Sequence, residues 1–138
     1  MTDELKTGSV LLYSYLWSSE AESGLKDGRK YRPTVIGIIA TLKSGKRKVV
    51  FFPLTTLQPA EGRLAIEVPD TEKRRVGLSS ATRTWIILDE YNVDDLDNSF
   101  YIEPASTIGR FSPAFSRPVF LNAAAHLRAA RAVFRARF

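Results

Sequence analysis

The sequence predicts a mainly β fold, a small barrel or strongly bent sheet with one α-helix at its C-terminal end, and three observations carry that expectation. Five or six short runs rich in Val, Ile, Leu and aromatic residues recur along the chain, each bounded by Gly, Pro or polar turn residues. Only residues 123–138 read as a long helix. The 138 residues are 44% hydrophobic and 25% charged, the balance of one globular domain able to bury a core.

In chain order, Gly8 opens a first strand over Ser9 to Trp17, dense in aromatic and aliphatic residues. Ser18 to Lys30 reads as a polar loop with Gly24 and Gly28, long enough to be of the kind that binds. Arg32-Pro33 then starts a buried strand through Val35, Ile36, Ile38 and Ile39, because Pro is tolerated at a strand's beginning and branched residues fill its interior. Lys48 to Leu54 is its partner, across the turn signal Lys43-Ser44-Gly45-Lys46. Folded about Ser44-Gly45, the hairpin sets Arg32 opposite Leu57, Pro33 opposite Thr56 and Thr34 opposite Thr55. One guanidinium and the hydroxyls of Thr55 and Thr56 thereby reach the same end of the sheet, a donor set suited to phosphate.

Leu64 to Val68 is a short alternating strand stopped by Pro69, and Asp70 to Arg75 a charged turn. Thr82 to Leu88 alternates Thr82, Thr84, Ile86 and Leu88 against Arg83, Trp85 and Ile87, as a strand does. Asp89 to Asn98 reads as an acidic loop or a single helical turn, and Phe100 to Ile102 as a last strand. Pro113 and Pro118 break the chain before Asn122, which caps a helix from Ala123 to Phe138. Leu127, Ala130 and Phe134 form its apolar stripe, with Arg128, Arg131 and Arg135 on an adjacent face.

The net charge of +5 is unevenly held. Residues 1–103 carry 14 Lys and Arg against 15 Asp and Glu, whereas residues 104–138 carry six Arg and no acid. Basic character, and the sequence-independent phosphate affinity that goes with it, is a property of the C-terminal part. With no cysteine there is neither a disulfide nor a thiolate nucleophile. Asp95-x-Asp97-x-Ser99 begins like a calcium loop, but Phe100 stands where Gly is required and Ser106 where the bidentate Glu belongs. No Gly-rich phosphate loop or nucleophile elbow is present, and His126 is the sole histidine. The expectation is chemistry by Arg and hydroxyls, with no metal and no cofactor. Met1 to Thr7 lacks the basic-then-apolar pattern of a signal peptide and no apolar run approaches the roughly 18 residues of a membrane helix, so a cytoplasmic protein with no membrane partner is expected.

The order of these pieces resembles the MazF/PemK family of toxins from bacterial toxin-antitoxin systems. Gly8-Ser9-Val10-Leu11-Leu12 matches the family's opening strand, and Tyr31-Arg32-Pro33-Thr34-Val35-Ile36 its Arg-Pro strand start. Pro53-Leu54-Thr55-Thr56, Ala65-Ile66-Glu67-Val68-Pro69, and Gly77-Leu78 followed by Arg83 complete the series. The resemblance implies an SH3-like β-barrel over residues 1–103, with residues 104–138 a basic extension whose helix docks on the same domain. It further implies a homodimer that cleaves single-stranded RNA at specific sequences by 2′-hydroxyl attack without metal, and an acidic antitoxin that fills the RNA groove. Carried over by position, Arg32 stabilises the phosphorane or protonates the leaving oxygen and Thr55 or Thr56 holds the scissile phosphate, with Lys30, Tyr31 and Arg83 binding RNA beside them. Where several members place an acid, this chain has Ser79, Ser80 and Ala81. The alternative reading is a non-catalytic nucleic-acid or protein-binding module on the same barrel, including a gyrase-inhibitor-like toxin.

Overall fold

The hairpin at the centre of the sequence is also the centre of the fold. In the computed structural model, which describes residues 4–25 and 31–138, β2 (Arg32–Thr41) and β3 (Arg47–Thr55) pair antiparallel across a Leu42–Lys46 turn. Gly45 adopts φ +90° there, a conformation that costs a residue without a Cβ least. β3 is the hub: besides β2 it pairs with β5 (Trp85–Ile87) and β6 (Glu90–Asp95). β1 (Ser9–Tyr13) flanks β2 and carries β7 (Thr107–Arg110) on its far side, β4 (Ala65–Glu67) lies outside β5, and β8 (Arg131–Phe134) runs parallel to β6.

The protein is therefore mainly β, an eight-stranded sheet that is antiparallel except for β6 and β8. The expected barrel is not closed by strand pairing, because the path runs β4-β5-β3-β2-β1-β7 and stops. Helix α2 (Asp70–Val76), which leaves β4, packs on β7 instead. The approach is close enough that a Cβ on Gly109 of β7 would stand 2.8 Å from the Val76 Cα, so only glycine fits. Glu72 of the same helix accepts hydrogen bonds from the Ser112 N–H and Oγ, both 2.8 Å, tying it to the start of α3 (Pro113–Ala125).

Both faces of the central strands are buried, which explains their near-continuous apolar runs. Val10, Val35, Phe52 and Ile86 pack with Phe111, Val119, Phe120 and Ala123 under α3. Their neighbours Leu11, Tyr13, Ile36, Val49 and Phe51 form a second cluster on the opposite face. The segment expected to be an acidic loop is β6, and it supplies that second face. Glu90, Asn92 and Asp94 alternate inward and are all buried. Each is satisfied: Asp94 accepts from Tyr13 Oη (2.7 Å) and Ser99 Oγ (2.6 Å), and Glu90 from Tyr15 Oη (3.0 Å) and Ser18. Asp95 caps the following turn through the N–H groups of Asp97 and Asn98.

Burial pushes the phenols of Tyr13 and Tyr15 well above the usual tyrosine range, with Asp94 and Glu90 respectively adding to it. A raised native pKa means that the native state keeps protons the unfolded chain releases, so stability is full below pH ~10 and falls above it. Urea unfolding between pH 9 and 11 should lose about 1.4 kcal/mol per pH unit for each tyrosine once past pH ~10. Tyr15→Phe should reduce that slope; a slope unaltered by the substitution would contradict the assignment.

The C-terminal part departs most from expectation. The helix is not 123–138 but Pro113–Ala125, begun by the Ser112 cap, whose Oγ accepts from Phe115 N–H, and by Pro113 at its first position. After His126 comes a short 3-10 turn, then β8. The Ala- and Arg-rich run has good helix propensity, but pairing with β6 and burial of Val133 outweigh it. Arg128, Arg131 and Arg135 accordingly share no helical face; Arg135 Nη1 donates to the Ser14 carbonyl (2.6 Å) and its guanidinium lies 3.9 Å from the Tyr101 ring centre. Three smaller differences follow the same logic of tertiary context. The first strand ends at Tyr13, and Ser18–Glu22 forms a short helix, α1, whose Glu20 accepts from the Trp17 N–H (3.0 Å). Asp70–Val76 is helical rather than a turn, and Phe100–Ile102, expected as a last strand, is not one, while Thr107–Arg110 is.

Candidate functional site

At the mouth of β2 and the end of β3 lies a cavity of about 310 Å³ lined by Tyr31, Arg32, Pro33, Thr55, Thr56 and their neighbours Leu57 and Leu78. The structure thus brings together four of the predicted site residues. The register that does so differs from the expected one: Thr34 faces Pro53, not Thr55. One residue of the difference comes from the irregularity at Gly37, where Ile36 faces Phe51 but Ile38 faces Val50. From Ile36 towards Arg32 the total slip is two residues, and because side chains alternate with period two, an even slip leaves the side chains of that end on their expected face. Continued past Thr34, the observed register sets Arg32 level with Thr55.

Arg32 is held in an unusual way. Its Nε is buried without a hydrogen-bond partner, and its guanidinium carbon stands 5.0 Å from the Trp17 ring centre. Arg47, Arg63 and Arg83 are by contrast paired with Asp97, Asp89 and Glu67. A buried donor left unmade costs about 1–3 kcal/mol, so an anion bound here recovers what folding left unsatisfied. Thr55 Oγ1 accepts from Leu57 N–H (3.1 Å), which leaves its proton to donate into the cavity, and Thr56 is exposed. Tyr31 is 65% exposed at the rim. Among the described residues neither a carboxylate nor a histidine lines this cavity.

Arg83 is placed elsewhere. Its Nε and Nη2 engage Glu67 at 2.9 and 2.6 Å, and it lies over the Trp85 ring. That pairing holds the Glu67 carboxyl below the usual carboxylate range. Lys30 lies outside the described residues. Ser79, Ser80 and Ala81 are in an exposed loop after α2, and His126 sits at the end of α3 with Nδ1 2.8 Å from the Asn122 carbonyl oxygen.

Two residues of the site went unread in the sequence. Trp17, taken as part of a strand, is the N-cap of α1 and the ring beneath Arg32; Glu three residues later is the signal that would have marked the helix start. Arg63, taken as loop, lines an adjoining cavity together with Trp17, Arg32 and Thr55, and donates from Nε and Nη2 to Asp89 in a forked pair. Burial pushes the Asp89 carboxyl up, and the hydrogen bonds from Arg63 and the Leu64 N–H more than reverse it, leaving it below the usual carboxylate range. No protein-family model, curated protein or solved structure matches the chain. No helix among the described residues is long and apolar enough to cross a membrane.

Proposed function

We propose that the Arg32 pocket binds a phosphodiester of single-stranded RNA and that the protein is a metal-independent endoribonuclease of MazF/PemK type. In this reading it is a cytoplasmic toxin, homodimeric and restrained by an acidic antitoxin, and its bent sheet with α2 stands for that family's SH3-like barrel. The observation that carries the reading is Arg32 itself, a cation with a buried unpartnered donor beside two threonine hydroxyls. The ribose 2′-oxygen attacks the adjacent phosphorus and the P–O5′ bond breaks, giving a 2′,3′-cyclic phosphate and a 5′-hydroxyl. One proton leaves the 2′-oxygen to water and one reaches the departing 5′-oxygen. Arg32, Thr55 and Thr56 carry the added charge on the phosphorane oxygens, the kind of preorganised donation that accounts for most of such an acceleration.

One observation favours the second reading, a module that holds RNA without cutting it. Among the described residues the cavity is lined by no carboxylate and no histidine to act as base or acid, and a guanidinium is in general too weakly acidic to exchange protons readily. Incubating the purified protein with mixed-sequence single-stranded RNA in EDTA separates the two. New 5′-hydroxyl and cyclic-phosphate ends are the expected result. RNA retained intact would select the binding module, and RNA neither bound nor cut by folded protein would end both readings.

A further inference from the structure

We propose that the groove between α3 and the middle of β2 binds a single-chain aliphatic carboxylate, its head against Arg110 and Arg117 and its tail towards Ala124. The groove encloses about 530 Å³, a volume usual for small-molecule sites, and shares no residue with the Arg32 pocket. It opens where β2 is irregular, since the register shifts between Ile36 and Ile38 and Gly37 stands at that point. From α3 it is lined by Pro113, Ser116, Arg117, Phe120, Leu121 and Ala124, whose spacing of three and one marks a single helical face.

Polarity is sorted along the groove, and that sorting selects the occupant. At the end where α3 begins, Arg110 Nε donates to the Thr7 carbonyl (3.1 Å), which fixes the guanidinium and leaves its outer N–H groups for a ligand. Neither Arg110 nor Arg117 has an ion pair among the described residues, and among them no carboxylate lines the groove. The positive end of the α3 dipole lies at the same place. Ala124 is about 16 Å further along the helix, and on the way the walls become Ile38, Phe120 and Leu121. Leu121 is 73% exposed, apolar surface that a hydrocarbon tail would cover. The floor there is firm: Phe120 stacks on Phe52 with ring centres 5.6 Å apart, both against Gly37, where a Cβ would meet the two rings. An anionic head on an unbranched tail satisfies both ends, whereas a nucleic-acid strand would carry its charge into the apolar one.

Calorimetric titration of the full chain with monomeric octanoate, decanoate and dodecanoate, each beside its matching alcohol, tests the site. Affinity should rise by up to about fourfold per added methylene, and each carboxylate should bind about tenfold more tightly than its alcohol. Arg117→Gln should remove most of the preference for carboxylate, while Ala124→Trp, at an exposed position, should flatten the gain with chain length. Equal affinity for carboxylate and alcohol in wild-type protein, or a chain-length gain that survives Ala124→Trp, would overturn the assignment. Binding to anionic phospholipid vesicles but to no monomeric carboxylate would overturn it too. So would sedimentation showing a dimer that Leu121→Asp dissociates, with no carboxylate bound by either form, because a second copy would then be the occupant.

Discussion

Replacing Arg32 by alanine should slow RNA cleavage by roughly 100- to 1,000-fold with little change in folding stability. The two halves of that expectation have separate physical grounds. The Arg32 side chain makes no hydrogen bond or ion pair among the described residues, so its removal strands no partner. What is lost is the contact with the Trp17 ring, about 0.5–1 kcal/mol for a partly exposed pair, offset by removal of a buried donor that had nothing to bond. The chemical loss is larger because the charge of a pentavalent phosphorus develops after binding, and a donor fixed in advance acts on that charge without reorganising. Arg32→Lys sharpens the test: lysine restores the charge but not the planar fork, so binding should return more fully than the rate. Single-turnover cleavage and direct RNA titration on the same preparations measure both quantities. If the protein only binds RNA, Arg32→Ala should instead lower affinity and flatten its salt dependence by about one counterion. Cleavage at the wild-type rate in the alanine variant would remove Arg32 from the site.

How much of this was legible in the sequence depended on whether a signal was local or tertiary. The β2-β3 hairpin was readable because its turn, its leading Pro and its branched residues act within the segment. Its register was off by two, yet Arg32 and Thr55 still met, since alternation is indifferent to an even error. β6 was misread because Glu90, Asn92 and Asp94 are polar residues on a buried face, and only their distant partners Tyr15, Leu16 and Tyr13 make that burial tolerable. β8 was misread for the opposite reason: its composition favours helix, and a parallel partner some forty residues upstream decides otherwise. The packing of α2 on β7 left its trace in one residue, Gly109, whose need is visible only once Val76 is beside it. The second half of the candidate site, Trp17 and Arg63, depended on those same long-range contacts.

Asn92→Leu should be the most damaging change away from the pocket, lowering stability by about 3 kcal/mol or more. Asn92 is fully buried, and its side chain does the work of a missing strand pair for Leu16: Oδ1 accepts from the Leu16 N–H (2.9 Å) and Nδ2 donates to the Leu16 carbonyl (2.7 Å). Oδ1 also accepts from Arg135 Nη1 (3.2 Å), so one amide joins the end of β1, β6 and the C-terminal strand. Leucine fills a similar volume, which keeps cavity formation small, but it leaves both backbone groups of Leu16 buried without partners, at about 1–3 kcal/mol each. For a chain of this size the loss corresponds to a fall of about 10 °C in Tm. The next residue is Trp17, the ring that supports Arg32, so the same substitution loosens the site from behind. Urea unfolding with an unchanged m-value, together with faster exchange of the Leu16 amide in the native state, would locate the damage there. RNA binding in the cold, where the variant remains folded, should fall less than in Arg32→Ala. Equal losses in the two variants at that temperature would mean that Asn92 acts on the ligand rather than on the segment that carries Trp17.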